Sequence, residues 1–128
     1  MNFCKGSTNC IAEYCSFRNN GDDDMAIWPA DGQQCSNNTY RYNTAENNYR
    51  SSSCSLYGGF GNKWQNIIVK DNYEVGIRAN SMFQGACYGD GVLNEFSNID
   101  VIGCGTWNNT YGNPDPAVDI TKIGRAHV

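Results

Sequence analysis

Apolar positions along this chain come in short runs separated by Asn, Gly, Asp and Ser. The runs are YCSF at 14–17, MAIW at 25–28, TYRY at 39–42, CSLY at 54–57, NIIV at 66–69, EVGIRA at 74–79, NIDVIG at 98–103 and AVDIT at 117–121. Runs of this length, rich in β-branched and aromatic residues and bounded by turn formers, read as strands. No segment carries the 3.6-residue periodicity of an amphipathic helix, so none is expected. Asparagine occurs 18 times and glycine 14 times against three prolines, which fits many tight turns between short strands.

The runs recur. With Cys15, Asn38, Asn66 and Asn98 as equivalent starts, CSFRNN, NTYRYN, NIIVKD and NIDVIG follow one another at intervals of 23, 28 and 32 residues, each trailed by a second apolar run. A period of this size is the mark of a solenoid. Units made of strands and turns without helices predict an all-β parallel β-helix of about four rungs. PADGQQ, FQGACYGDG and TWNNTYGNPDP are the expected corner loops. The rival antiparallel sandwich wants two-residue Asn-Gly or Asp-Gly hairpins between neighbouring strands. The nearest candidate, ADGQQ, separates runs that do not pair well.

Length and charge narrow the picture. A chain of 128 residues has material for one core. A formal net charge of −4 and a pI near 4.7 argue against nucleic acid and anionic membranes as partners. No apolar run approaches the roughly 20 residues that span a bilayer. Seven cysteines, at 4, 10, 15, 35, 54, 87 and 104, lack the paired CxxC spacing of a zinc site and predict disulfides in a secreted protein. Asn-x-Thr sequons at Asn37 and Asn108 fit secretion but are short motifs. The odd cysteine number and the missing export signal are expected of a fragment. In the tail, Ile-Gly-Arg-Ala-His-Val can be encoded by ATC GGA AGA GCA CAC GTC, which looks like a sequencing adapter translated in frame. Residues 1–122 are therefore taken as a partial β-helix domain and 123–128 as a non-native tail that carries the only histidine, His127. Without it no Ser-His-Asp triad is possible, and no nucleotide-binding glycine motif is present.

One stretch holds the candidate chemistry. RNNGDDDMAIWP, residues 18–29, sets Asp22, Asp23 and Asp24 side by side before an apolar strand. In a straight strand Asp23 would face away from its neighbours. A bend permitted by Gly21 would bring Asp22 and Asp23 onto one outer surface. Crowded carboxylates raise at least one pKa, and a neutral acid beside an ionised partner is what glycoside hydrolysis needs. A solvated acidic turn and a calcium site are the alternatives. No cofactor is required.

FRNNGDDDMAIWPADG, with NTYRYNTAENNYRSSSCSLYGG and NIIVKDNYEVGIRANSMF after it, resembles the catalytic domain of glycoside hydrolase family 87, the α-1,3-glucanases (mutanases) and mycodextranases. The likeness runs over about residues 9 to 121, and its most specific parts are Gly21-Asp22-Asp23 and the YGG at 57–59. The resemblance implies a right-handed parallel β-helix, secretion, and inverting endo-hydrolysis of α-1,3-glucosidic bonds in a neutral glucan. It places the catalytic pair on Asp22 and Asp23 and leaves Asp24, where the family has a small residue, unexplained. It also implies a third aspartate one rung upstream, a position before Met1, so the fragment itself is expected to be inactive.

Trp28, Tyr57, Phe60, Trp64 and Trp107 are candidate rings for sugar subsites, with core packing as the alternative for each. Trp28 is favoured because it lies five residues from Asp23, and Arg78 is a candidate to bind a hydroxyl from a neighbouring rung. The expected partner is an α-glucan bound by a monomer. A polygalacturonase-like enzyme would also carry Gly-His-Gly and Arg-x-Lys elements, which are absent here. A non-catalytic β-helix adhesin or carbohydrate-binding module is the alternative from another class.

Overall fold

A computed structural model of the protein describes residues 1–81, 88, 89, 92–109 and 111–121. Among them lie eleven strands, one 3-10 turn (Ala30–Gly32) and no α-helix. The strands are β1 (Asn2–Cys4), β2 (Ile11–Glu13), β3 (Ser16–Arg18), β4 (Met25–Trp28), β5 (Thr39–Arg41), β6 (Thr44–Glu46), β7 (Cys54–Leu56), β8 (Lys63–Lys70), β9 (Ile77–Ala79), β10 (Glu95–Ile102) and β11 (Val118–Ile120). Every pairing between named strands is parallel. One sheet stacks β1-β4-β7-β9-β11. The other joins β2 and β3, then β5 and β6, to the continuous strands β8 and β10. The protein is a parallel β-solenoid of about three turns, one fewer than expected, with β1–β3 and β11 as partial turns at its ends.

The true repeat differs from the expected one. Asparagine side chains bridge successive turns, and they set the intervals: Cys10 N–H donates to Asn38 Oδ1 across 28 residues, Asn38 N–H to Asn62 Oδ1 across 24, and Asn62 N–H to Asn94 Oδ1 across 32. Cys15 is level with Asn43, not Asn38. The equivalents of Asn66 and Asn98 are Tyr14 and Tyr42, all four at positive φ between 51° and 56°. Asparagine tolerates this left-handed conformation, whereas tyrosine pays strain for it, so composition hides the tyrosines' equivalence. Their rings stack at 5.3 Å outside the corner.

The interior between the sheets is filled by stacked side chains. Phe3, Tyr40, Trp64 and Phe96 form a continuous aromatic pile with centroid spacings of 4.6, 5.8 and 4.7 Å. Tyr40 Oη donates to the Ala26 carbonyl at 2.9 Å and Trp64 Nε1 to that of Met25 at 3.1 Å, so neither buried polar atom is orphaned. Met25, Ile27, Cys54, Leu56, Ile67 and Val69 complete the core.

The six described cysteines form no disulfide, contrary to the expected bridges. Cys35 and Cys54 serve as small core residues. Cys10 and Cys15 occupy ladder positions that asparagines fill one turn later. Cys87, most of the FQGACYGDG loop and the tail 123–128 lie outside the described residues.

Candidate functional site

The aspartate triplet meets a serine triplet. Met25 pairs with Cys54, so the two triplets, Asp22-Asp23-Asp24 and Ser51-Ser52-Ser53, lead into β4 and β7 on adjacent turns. The backbone continues this register, with Asp24 N–H donating to Ser52 O at 3.2 Å. One turn further, Cys54 pairs with Ile77, and Glu74 precedes Ile77 as Ser51 precedes Cys54.

The three carboxylates have three environments. Asp24 is buried, 1% exposed, and accepts from Asn20 Nδ2 and Ser53 Oγ at 2.5 Å each. Burial raises its pKa above the ordinary value; the two hydrogen bonds oppose that rise. The carboxyl lifted in this way is therefore the structural one, not a member of the expected catalytic pair. Asp23 is half-buried and heavily solvated by protein. Its Oδ1 accepts from Ser51 Oγ (2.6 Å), Ser52 N–H (3.1 Å), Ser52 Oγ (3.0 Å) and Ser55 Oγ (2.7 Å), and its Oδ2 from Tyr57 Oη (2.9 Å). Tyr57 is in turn pushed up to about 12, first by its own burial and then by the Asp23 charge. Asp22 is exposed, and its Oδ1 accepts the N–H of Asp23 at 2.9 Å.

Gly21 does not take a positive φ. Its role is close approach: a Cβ there would lie 2.3 Å from Tyr49 Oη. The ring of Tyr49 thus closes over the residue before the triplet.

A cleft of roughly 310 Å³ opens on the outer face of the β4-β7-β9 sheet. All five anticipated site residues line it: Asp22, Asp23, Trp28, Tyr57 and Arg78. Trp28 and Tyr57 stand level on adjacent turns at the ends of β4 and β7, because Ile27 pairs with Leu56. The Trp28 Nε1 atom is buried and has no hydrogen-bond partner among the described residues. Arg78 is not the solvated arginine that an exposed strand suggests. Its Nη2 lies 3.2 Å from Asp115 Oδ2 and its Nε 3.5 Å from Asp119 Oδ2, with the side chain only 13% exposed. It ties the loop after β10, which carries Tyr111, to the cleft wall.

Three other ring candidates fall elsewhere. Trp64 is a core residue with no exposure. Phe60 is half-buried against Gly89. Trp107 is 70% exposed but lines a separate shallow depression with Pro114.

The cleft also holds residues that the sequence did not single out: Asn2, Arg50, Ser51, Glu74 and Tyr111. Glu74 is 6% exposed and its Oε2 accepts the N–H of Ser51 at 2.7 Å. Read alone, SSS at 51–53 looks like a loop. Its only signal is its position, immediately before Cys54 as DDD is immediately before Met25. Among the described residues no cluster of three or more His, Cys, Asp or Glu has the geometry to hold a metal ion. Comparison with family models, with curated proteins and with solved structures gives no match.

Proposed function

We propose that the cleft is the site of a glycoside hydrolase acting on a neutral glucan of the α-1,3-linked type by inversion, with Asp22 and Asp23 in the reacting centre. The observation that carries this reading is the convergence in one groove of an exposed carboxylate, a second carboxylate fixed by five donors, and two aromatic side chains on neighbouring turns. Carbohydrate sites need that combination: flat apolar surface for the sugar face, polar groups for its hydroxyls, and carboxylates flanking the scissile bond. Arg78, held by two aspartates, would present the rest of its guanidinium to a hydroxyl. A polymeric substrate of this kind is met outside the cell, which makes a secreted protein the consistent reading.

The full donor set on Asp23 favours a second reading, a carbohydrate-binding β-solenoid in which that carboxylate is only a strut. One pair of measurements separates the two. Insoluble α-1,3-glucan is incubated with the protein, and both the bound fraction and the reducing ends released are followed, with polygalacturonate as control. Release of reducing ends from the glucan alone supports the hydrolase. Binding without release supports the binding module. Neither binding nor release, or release from polygalacturonate instead, overturns the proposal.

A further inference from the structure

The resemblance assigns a third carboxylate to a position before Met1, yet the cleft contains an acidic residue from within the chain. We infer that Glu74 is the second carboxylate of the hydrolytic pair, acting across the cleft from Asp22, with Asp23 as the positioning residue between them. This inference rests on the hydrolase reading of the cleft.

The spacing carries the argument. Asp22, Ser51 and Glu74 each precede by three residues the aligned column Met25, Cys54 and Ile77, and all three line the cleft. At about 4.8 Å per turn, residues two turns apart are about 9.6 Å apart along the stack. Inverting glycosidases separate their carboxyl groups by roughly 6.5–9.5 Å to admit a water beside the sugar. Side chains leaning toward one another along the column would bring Asp22 and Glu74 into that range. Asp23 is engaged at both oxygens by Ser51, Ser52, Ser55 and Tyr57.

Ser51 links the two carboxylates that flank it. Its N–H donates to Glu74 Oε2 at 2.7 Å and its Oγ to Asp23 Oδ1 at 2.6 Å, from a backbone held at φ 67°. A non-glycine residue in that region is costly, so this aim is set by the surrounding fold. The reaction balances with water as co-reactant. One carboxylate takes a proton from water as its oxygen bonds to the anomeric carbon. The bond from that carbon to the glycosidic oxygen breaks, and the other carboxyl gives its proton to the leaving oxygen.

Glu74→Gln tests this, because the amide keeps an oxygen for Ser51 N–H but loses the exchangeable proton. Expected is a fall in α-1,3-glucan hydrolysis of about a thousandfold, within the range of general acid–base catalysis. Chemical rescue gives the readout that a merely structural role would not move. Recovery with an α-glucosyl fluoride, which needs no acid, makes Glu74 the acid; recovery with azide, which needs no base, makes it the base. Glu74→Asp should keep partial activity and a shifted pH profile. Activity of Glu74→Gln within tenfold of the parent, or loss in both variants that neither reagent restores, overturns the inference and leaves the hydrolase reading standing. Binding of glucan without cleavage by the parent chain also overturns it, and supports the binding module instead. A parent chain that neither binds nor cleaves overturns the hydrolase reading itself.

Discussion

Tyr57 Oη donates to Asp23 Oδ2 at 2.9 Å, joining the end of β7 to the carboxylate that precedes β4 one turn earlier. With Tyr57 pushed up to about 12, this bond keeps its proton through neutral and mildly alkaline pH. Tyr57→Phe removes one of five donors on Asp23 and leaves the ring in place. The expected cost is about 1.5–3 kcal/mol in urea unfolding, the scale of a hydrogen bond to a charged partner. Catalytic or binding changes should exceed that cost, and an unaltered glucan affinity and rate in Tyr57→Phe would remove Tyr57 from the site.

Asp24 gives the fold a pH dependence of known sign. Its folded-state pKa lies above the ordinary 3.8, so the native protein binds a proton there more tightly than the unfolded chain does. That contribution is fully present below about pH 4 and is lost as pH rises through the raised value. Asp24→Asn removes the titration. Compared with the parent, its thermal midpoint should improve on moving from pH 4 to pH 7. Parallel midpoint-versus-pH curves for the two proteins would contradict this.

Asn62 is fully buried and bonds on both sides of its turn. Its Oδ1 accepts from Asn38 N–H and Nδ2, and its Nδ2 donates to Cys35 O and Asn94 Oδ1, all at 3.0–3.1 Å. Asn62→Ala leaves several buried polar groups without partners and should cost about 2–4 kcal/mol by denaturant titration. Asn62→Asp should be at least as damaging, because a carboxylate cannot supply the two donated bonds.

Arg78 and its two aspartates form a largely desolvated cluster, with Asp115 11% exposed and Asp119 19% exposed at their side chains. Removing one partner of such a cluster strands the others. Arg78→Met should lower stability by about 3 kcal/mol and loosen the loop carrying Tyr111, which increased proteolysis between residues 105 and 117 would report. A variant as stable and as protease-resistant as the parent would return Arg78 to the role of a solvated side chain.

The six described thiols make a simpler prediction. A reducing agent should leave the thermal midpoint unchanged, and thiol titration should rise on unfolding as buried Cys35, Cys54 and Cys104 become reactive. A midpoint that falls under reduction would show a bridge absent among the described cysteines.

Sequence pattern reached the architecture through strand runs and recurrence, and it reached the cleft through residues at strand ends. It missed β1, β2 and β6, each three residues long and weakly apolar. The expected starts mixed two positions, since Cys15 lies one residue past the Tyr14 corner and Asn38 four before the Tyr42 corner, because tyrosine and glycine fill corners that asparagine marks at other levels. Asp24, unexplained in one dimension, is explained by Asn20 and Ser53 once turns are stacked. Glu74 was hidden for the same reason: its link to Asp23 passes through Ser51 and exists only once the turns are stacked.

The left-handed corners at 14 and 19, 42 and 47, 66 and 71, and 98 and 103 keep a five-residue step on every turn. All variation in turn length therefore falls on the connections that flank the β1-β4-β7-β9-β11 sheet. That sheet bears the cleft. The fold thus separates a face of fixed gauge, which holds the molecule in step, from a face whose rims are free to lengthen, and selection for a new ligand has only the second to rewrite.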